Sequence, residues 1–168
     1  MPYNLGHWFD QVLKEETQMP ESFRTRLMRT YFHLHPAYQG TGGRLTYIAS
    51  DWSEVKLKVP LNWRTRNYVG TIFGGSMYAA VDPLYMIMLI QRLGANYIVW
   101  DKSAFIQFKK PGKTTLFAHF VLPDDEIKRI KELLEKEHSI DQIFNIELKD
   151  LQGSICAIME KTIYIRKR

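Results

Sequence analysis

Apolar positions along this chain follow two periods, and the change between them marks the elements. In FRTRLMRTYFHL, residues 23–34, Phe23, Leu27 and Tyr31 recur at helical spacing as one apolar stripe, with Arg24, Arg26 and Arg29 off it. Ser22 is placed to cap this helix, and Pro36 to end it. A shorter helix is expected over His7–Thr17, closed off by Pro20. From Arg44 the period becomes two. Leu45, Tyr47 and Ala49 alternate with polar neighbours, and Val55, Leu57 and Val59 alternate with Glu54, Lys56 and Lys58. Two antiparallel strands joined around residues 50–53 follow from this pattern.

Ser76 to Leu93 is apolar nearly all round, the mark of a helix buried on every side, and Gly94 stops it. Strands then resume. Over 101–108, strict alternation puts Ala104, Ile106 and Phe108 on one face and Asp101, Ser103, Phe105 and Gln107 on the other. Another strand is expected over 114–122, then a charged helix to about Glu137 with its acids near the start. A final hairpin over 139–149 and 154–166 turns at 150–153. One long helix wrapped by a curved antiparallel sheet is an α+β arrangement.

The chain has 168 residues, 45% of them hydrophobic and 24% charged, enough for one core and too little for two comfortable domains. Its single cysteine, Cys156, excludes an intrachain disulfide framework and a cysteine-rich zinc site. The five histidines lack the clustering of a metal site, so no metal is expected. Residues 1–20 show no secretory-signal pattern, and the long uncharged stretch after Arg66 is broken by glycines and by Asp82-Pro83, so no membrane span is expected. These features together give a cytoplasmic reading. Net charge is +5, with five bases against two acids in residues 41–70 and four against one in 101–123. No aromatic-interleaved basic motif accompanies this surplus, so nucleic acid is not an expected partner.

Asp82 is the only charged residue among the 25 from Asn67 to Gln91. A carboxylate in such a segment needs partners, because an unpaired buried charge is costly. One reading makes it a general base or nucleophile in a cleft, with free N–H groups of the Gly74-Gly75 helix start polarising a carbonyl. The other makes it the cap of a helix break at Pro83, which has no N–H to give. On residue chemistry alone both stand.

The spacing of Asn67, Gly70, Gly74, Gly75 and Asp82 resembles the core motif of the hot-dog-fold, PaaI-like acyl-CoA thioesterase superfamily, nearest to a bacterial branch of unassigned function. SAFIQFKKP, residues 103–111, is similar to that superfamily's third strand. The resemblance implies a hot-dog domain over residues 39–168, with residues 1–38 as an N-terminal helical extension. It implies hydrolysis of an acyl-CoA thioester, coenzyme A being part of the substrate and no separate cofactor being needed. Asp82 would be general base or nucleophile, the Gly74 N–H would polarise the thioester carbonyl, and Asn67 would position that carbonyl or the attacking water.

Substrate contacts would fall to Phe73, Gly75, Asp101, Ser103, Arg66 and Lys110. Arg64, Lys109 and Lys113 join Arg66 and Lys110 as candidates for the nucleotide end of coenzyme A. Tyr78, Leu84, Tyr85 and Met88 would wall an acyl chain. Self-association as a homodimer or homotetramer is also implied. Phe73 stands where many relatives have His, and Pro83 follows the acid directly. Both departures keep an alternative in view, a hot-dog protein that binds acyl-CoA or fatty acyl groups without hydrolysing them.

Overall fold

The structure, a computed structural model, describes residues 19–168, so the helix expected over His7–Thr17 lies outside the described residues. Helix α1 (Phe23–Leu34) begins as its sequence dictates. Ser22 Oγ accepts from the Thr25 N–H at 3.1 Å, and Thr25 Oγ1 accepts from the Ser22 N–H at 3.0 Å. This reciprocal pair satisfies two donors that a helix start leaves open. The helix packs on β1 (Arg44–Ile48) through its Thr25 and Phe32 side, while the Phe23, Leu27 and Tyr31 stripe lies exposed. Pro36 ends α1 and also opens a short helix α2 (Pro36–Gln39), since its fixed φ suits a first helical position.

Six antiparallel strands form one sheet in the order β1, β2 (Glu54–Val59), β4 (Leu116–Val121), β5 (Ser139–Lys149), β6 (Ile155–Lys167) and β3 (Tyr97–Phe108). Strands β1 and β3 are its edges. Two register shifts alter what simple alternation implies. Between Leu45 and Tyr47 the β1 register slips, so Ile48 points inward with Leu45 and Tyr47 is only half-buried. Between Asp101 and Ser103 the β3 register slips likewise: Asp101 faces Ile163, Ser103 faces Thr162, and Ala104 faces Lys161. Asp101 and Ala104 therefore share the inward face. Strict alternation had grouped Asp101 with Ser103, and the extra residue at the slip is why that grouping fails.

The long helix expected over 76–93 starts earlier, at Gly74, and is broken in two. Helix α3 (Gly74–Val81) ends at Asp82, and α4 (Leu84–Leu93) begins after Pro83. The Asp82 side chain does not cap the break. The Tyr38 hydroxyl serves it instead, donating to the Ala80 carbonyl at 2.9 Å in a buried position. Removing that hydroxyl by Tyr38→Phe leaves a buried carbonyl without its donor, for a loss of about 1–3 kcal/mol. At about 2–4 °C per kcal/mol for a chain this size, thermal melting would register the loss. An unchanged melting temperature would show that the break needs no hydroxyl.

The inner sheet face packs on α3 and α4 around Phe120, Leu84, Met88 and Leu89, all fully buried. Tyr85 stacks on Phe144 at 4.2 Å and meets Phe120 edge-on at 5.1 Å. Helix α5 (Asp124–Leu133) lies on the surface, burying Ile127 and Ile130 and carrying Asp124, Asp125 and Glu126 in its first turn. Arg92, near the end of α4, reaches the Leu122 carbonyl and the Asp124 carboxylate, tying the two helices together.

Candidate functional site

On β6 the inward positions run Met159, Lys161, Ile163, Ile165, and the lysine sits in this apolar row at 2% exposure. A buried ammonium is tolerated only when paired. Lys161 Nζ bonds the Asp82 carboxylate and lies 3.0 Å from Asp101 Oδ2. Each acid arrives there through a local irregularity: Asp82 through the helix break, Asp101 through the slipped register of β3. The resulting cluster is two carboxylates on one ammonium.

The electrostatics follow from that count. Burial would lower the Lys161 pKa, but bonds to Asp82 and Asp101 and their negative charges outweigh it and hold the ammonium above the ordinary lysine value. Burial raises the Asp101 pKa first. Lys161 pulls it down and the Asp82 charge pushes it up, for a net rise above the usual carboxylate range. The Tyr78 hydroxyl is likewise raised, by burial and then by the Asp82 charge, so at neutral pH it keeps its proton and can donate to that carboxylate.

The Asp82 side chain is one-third exposed and opens onto a cleft of about 420 Å³ between the central helix and the α1–α2 turn. Tyr31, Phe32, Tyr38, Tyr78, Pro83 and Ile87 give this cleft mainly apolar walls. Of the four residues expected to wall an acyl chain, only Tyr78 lines it. Leu84, Tyr85 and Met88 are core residues, turned to the sheet by the helical period.

Gly74 and Gly75 form the first turn of α3, where N–H groups have no intrahelical acceptor. Side chains at either position would collide with aromatic rings. A Cβ on Gly74 would stand 2.8 Å from the Phe108 ring, and one on Gly75 would stand 2.3 Å from the Phe73 ring. Phe73 thus folds over the helix start. The Gly74 amide lies eight residues before Asp82, about 12 Å away along the helix at 1.5 Å per residue. Within one copy of the chain, the amide and the acid cannot both touch one thioester carbonyl.

Other expected residues fall in different places. Asn67 organises its own loop: Oδ1 accepts from the Val69 N–H at 3.1 Å and the Thr71 N–H at 3.0 Å, while Nδ2 donates to Thr71 Oγ1 at 2.9 Å. Ser103 points to the opposite sheet face from Lys161 and does not join the cluster. Arg66 pairs with Ile72 just before α3, and the Ile72 N–H donates to the Gly112 carbonyl at 2.9 Å. That bond lays the turn after β3, with exposed Lys110, against the loop of Arg66, at the Gly74 end of the molecule. Lys161 was missed by sequence reasoning, although a lysine in phase with Met159, Ile163 and Ile165 is a legible signal.

A curved antiparallel sheet on a buried central helix defines a thioesterase-like hot-dog fold. The family described as "Domain of unknown function (DUF4442)" matches residues 24–165, and the chain belongs to it. Among solved structures, it is similar to a protein of unknown function from Pseudomonas aeruginosa described as a probable thioesterase, with a TM-score of 0.75 and 19% identity over 89% of this chain and 99% of that one. It is also similar to a thioesterase from Haemophilus influenzae, at TM-score 0.63 and 13% identity, covering 89% of this chain and 94% of that one. A putative thioesterase from Shewanella oneidensis aligns at TM-score 0.62 and 18% identity, covering 86% and 96%. No curated protein matches the sequence significantly. Among the described residues, no helix is long and apolar enough to cross a membrane.

Proposed function

We propose that this protein hydrolyses acyl thioesters, with Asp82 as the reacting carboxylate. One observation carries the reading: a carboxylate anchored by a buried lysine and opening onto an apolar cleft. Asp82 takes a proton from water as the water adds to the thioester carbonyl, or adds to that carbonyl itself. In either route the thiolate leaves and takes up a proton, and water is consumed overall. Lys161 and Tyr78 hold the carboxylate in position, and Asp101 shares the charge of the lysine. The acyl chain occupies the cleft, and coenzyme A is the expected thiol carrier, its phosphates meeting Arg66 and Lys110. Free-thiol release from short, long and aromatic acyl-CoAs tests this directly, and absence of turnover across the panel would reject it.

The oxyanion donor comes from a second copy in this reading. Strand β3 is a 12-residue edge with no partner on its outer side among the described residues, and Trp100, Phe105 and Phe108 along it are exposed. Such an edge invites pairing. An antiparallel β3–β3 pairing about a two-fold axis exchanges strand ends, placing the Gly74 end of one copy beside the Asp82–Asp101 end of the other. A dimer or tetramer is therefore the expected solution state by light scattering. A 20 kDa monomer at micromolar concentration would exclude an active site assembled from two copies.

The placement of Phe73 favours a second reading. Its ring covers Gly75 where a polar contact to the thioester would be needed, which suits a protein that holds acyl-CoA without cleaving it. That protein would melt at higher temperature with acyl-CoA bound and release no thiol.

A further inference from the structure

A second cavity, of about 70 Å³, lies between the end of α1, the turn from α2 into β1, and the loop after β2. His33, Arg44, Asn62 and Arg64 line it with Gly42 and Gly43, and no acidic residue among the described ones does. Among the described residues, His33 Nε2 is the one buried side-chain nitrogen or oxygen without a hydrogen-bond partner. Buried polar atoms are paired as a rule, so such an orphan points to a missing ligand. Arg44 and Arg64 are exposed and have no acidic partner among the described residues. Arg29, whose charge also reaches His33, is already committed to Glu21 at 3.0 Å.

The remaining polar wall offers a donor as well. Asn62 Oδ1 is used by the Arg64 N–H at 2.9 Å and the Thr65 N–H at 3.3 Å, which leaves the Nδ2 amide open. Two guanidinium groups and an amide are all donors, and the imidazole becomes one when protonated. The floor is fixed by backbone: Gly42 has φ +76°, and a Cβ there would stand 2.2 Å from the Thr65 methyl. No side chain at that position could fill the space. A compact anion with several acceptor oxygens matches both the size and the donor set.

We propose that this cavity binds a phosphate group, clamped by Arg44 and Arg64, with Asn62 Nδ2 and His33 Nε2 on its remaining oxygens. Burial and then the Arg44 charge lower the His33 pKa, against a backbone bond at Leu45 that raises it, and a phosphate beside the ring offsets the charge of Arg44. The site uses no residue of the Asp82 cluster and does not depend on the thioesterase reading. Trp63, 82% exposed with the Arg64 guanidinium 4.9 Å from its ring centroid, stands beside it as a platform for an aromatic base. The phosphate could therefore arrive free or on a nucleotide.

Calorimetric titration of the full chain with inorganic phosphate and with adenosine 3′,5′-bisphosphate tests the site. Saturable binding of either ligand, weakened at least tenfold in Arg44→Gln/Arg64→Gln, is the expected result. Both arginines are exposed, so the double variant should fold, which its circular dichroism would verify. A nucleotide preference removed by Trp63→Ala identifies a nucleotide as the source, whereas equal affinities identify phosphate alone. No binding at millimolar ligand, or wild-type affinity in the double variant, would overturn the proposal.

Discussion

Asp82→Asn is expected to lower kcat/KM for acyl-CoA hydrolysis by about 10²–10⁴-fold, the usual worth of a positioned general base, with more lost if the carboxylate attacks directly. The amide keeps the size of the side chain and cannot accept a proton. The fold should survive, because Lys161 retains Asp101 3.0 Å away. Asp101→Asn is the informative companion. It removes the second carboxylate while leaving the Asp82 contact to Lys161, so its effect on rate should be the smaller. Equal loss in both variants would make the two acids a single catalytic unit. Full activity in Asp82→Asn would remove Asp82 from the chemistry altogether.

The sequence carried most of the architecture because its elements are locally consistent. Ser22 and the 23–34 pattern specify α1, the alternations over 54–59 and 139–149 specify strands, and apolar residues all round specify a buried helix. What it hid was phase. A register slip adds one residue to a strand and turns every later side chain to the other face, and no propensity marks the site of the slip. Tyr47 and Asp101 take faces that strict alternation does not give them for that reason, while Ser103 stays on the face of Phe105 and Gln107. Asp82 was legible as an isolated acid in an apolar segment and Lys161 as a lysine in an apolar row, yet their pairing was not, since they lie 79 positions apart, one at a helix break and the other on a strand. The helix period also separates what spacing joined: Gly74 and Asp82 belong to one motif but to opposite ends of α3.

The exposed stripe on α1 carries a related lesson. Helical spacing identified Phe23, Leu27 and Tyr31 as one face, and the structure turns the other side, with Phe32 and Thr25, against the sheet. Periodicity reports that residues share a face, whereas packing geometry decides which face is buried. Tyr31 takes part of its role from this turn, because it reaches the rim of the Asp82 cleft.

Lys161→Met should be the most destabilising single change at the site. The methionine fits an apolar row between Met159 and Ile163, so packing alone predicts little harm. Electrostatics predicts the opposite. Two half-buried carboxylates would lose their shared cation, and breaking a buried pair from one side costs about 3–5 kcal/mol. That corresponds to roughly 6–20 °C in melting temperature for a chain of this length. If charge is the cause, adding Asp82→Asn and Asp101→Asn to Lys161→Met should recover most of the loss, since nothing then remains unpaired. The pH dependence has a definite sign. The folded-state pKa of Lys161 lies above its ordinary value of about 10.4, so its stabilisation is fully present below that pH and fades as pH rises through the higher folded value. Wild type and Lys161→Met should therefore differ most near neutrality and converge in strong alkali. A gap unchanged across that range, with no recovery in the triple variant, would assign the loss to packing and remove the charge cluster as the organising feature of the site.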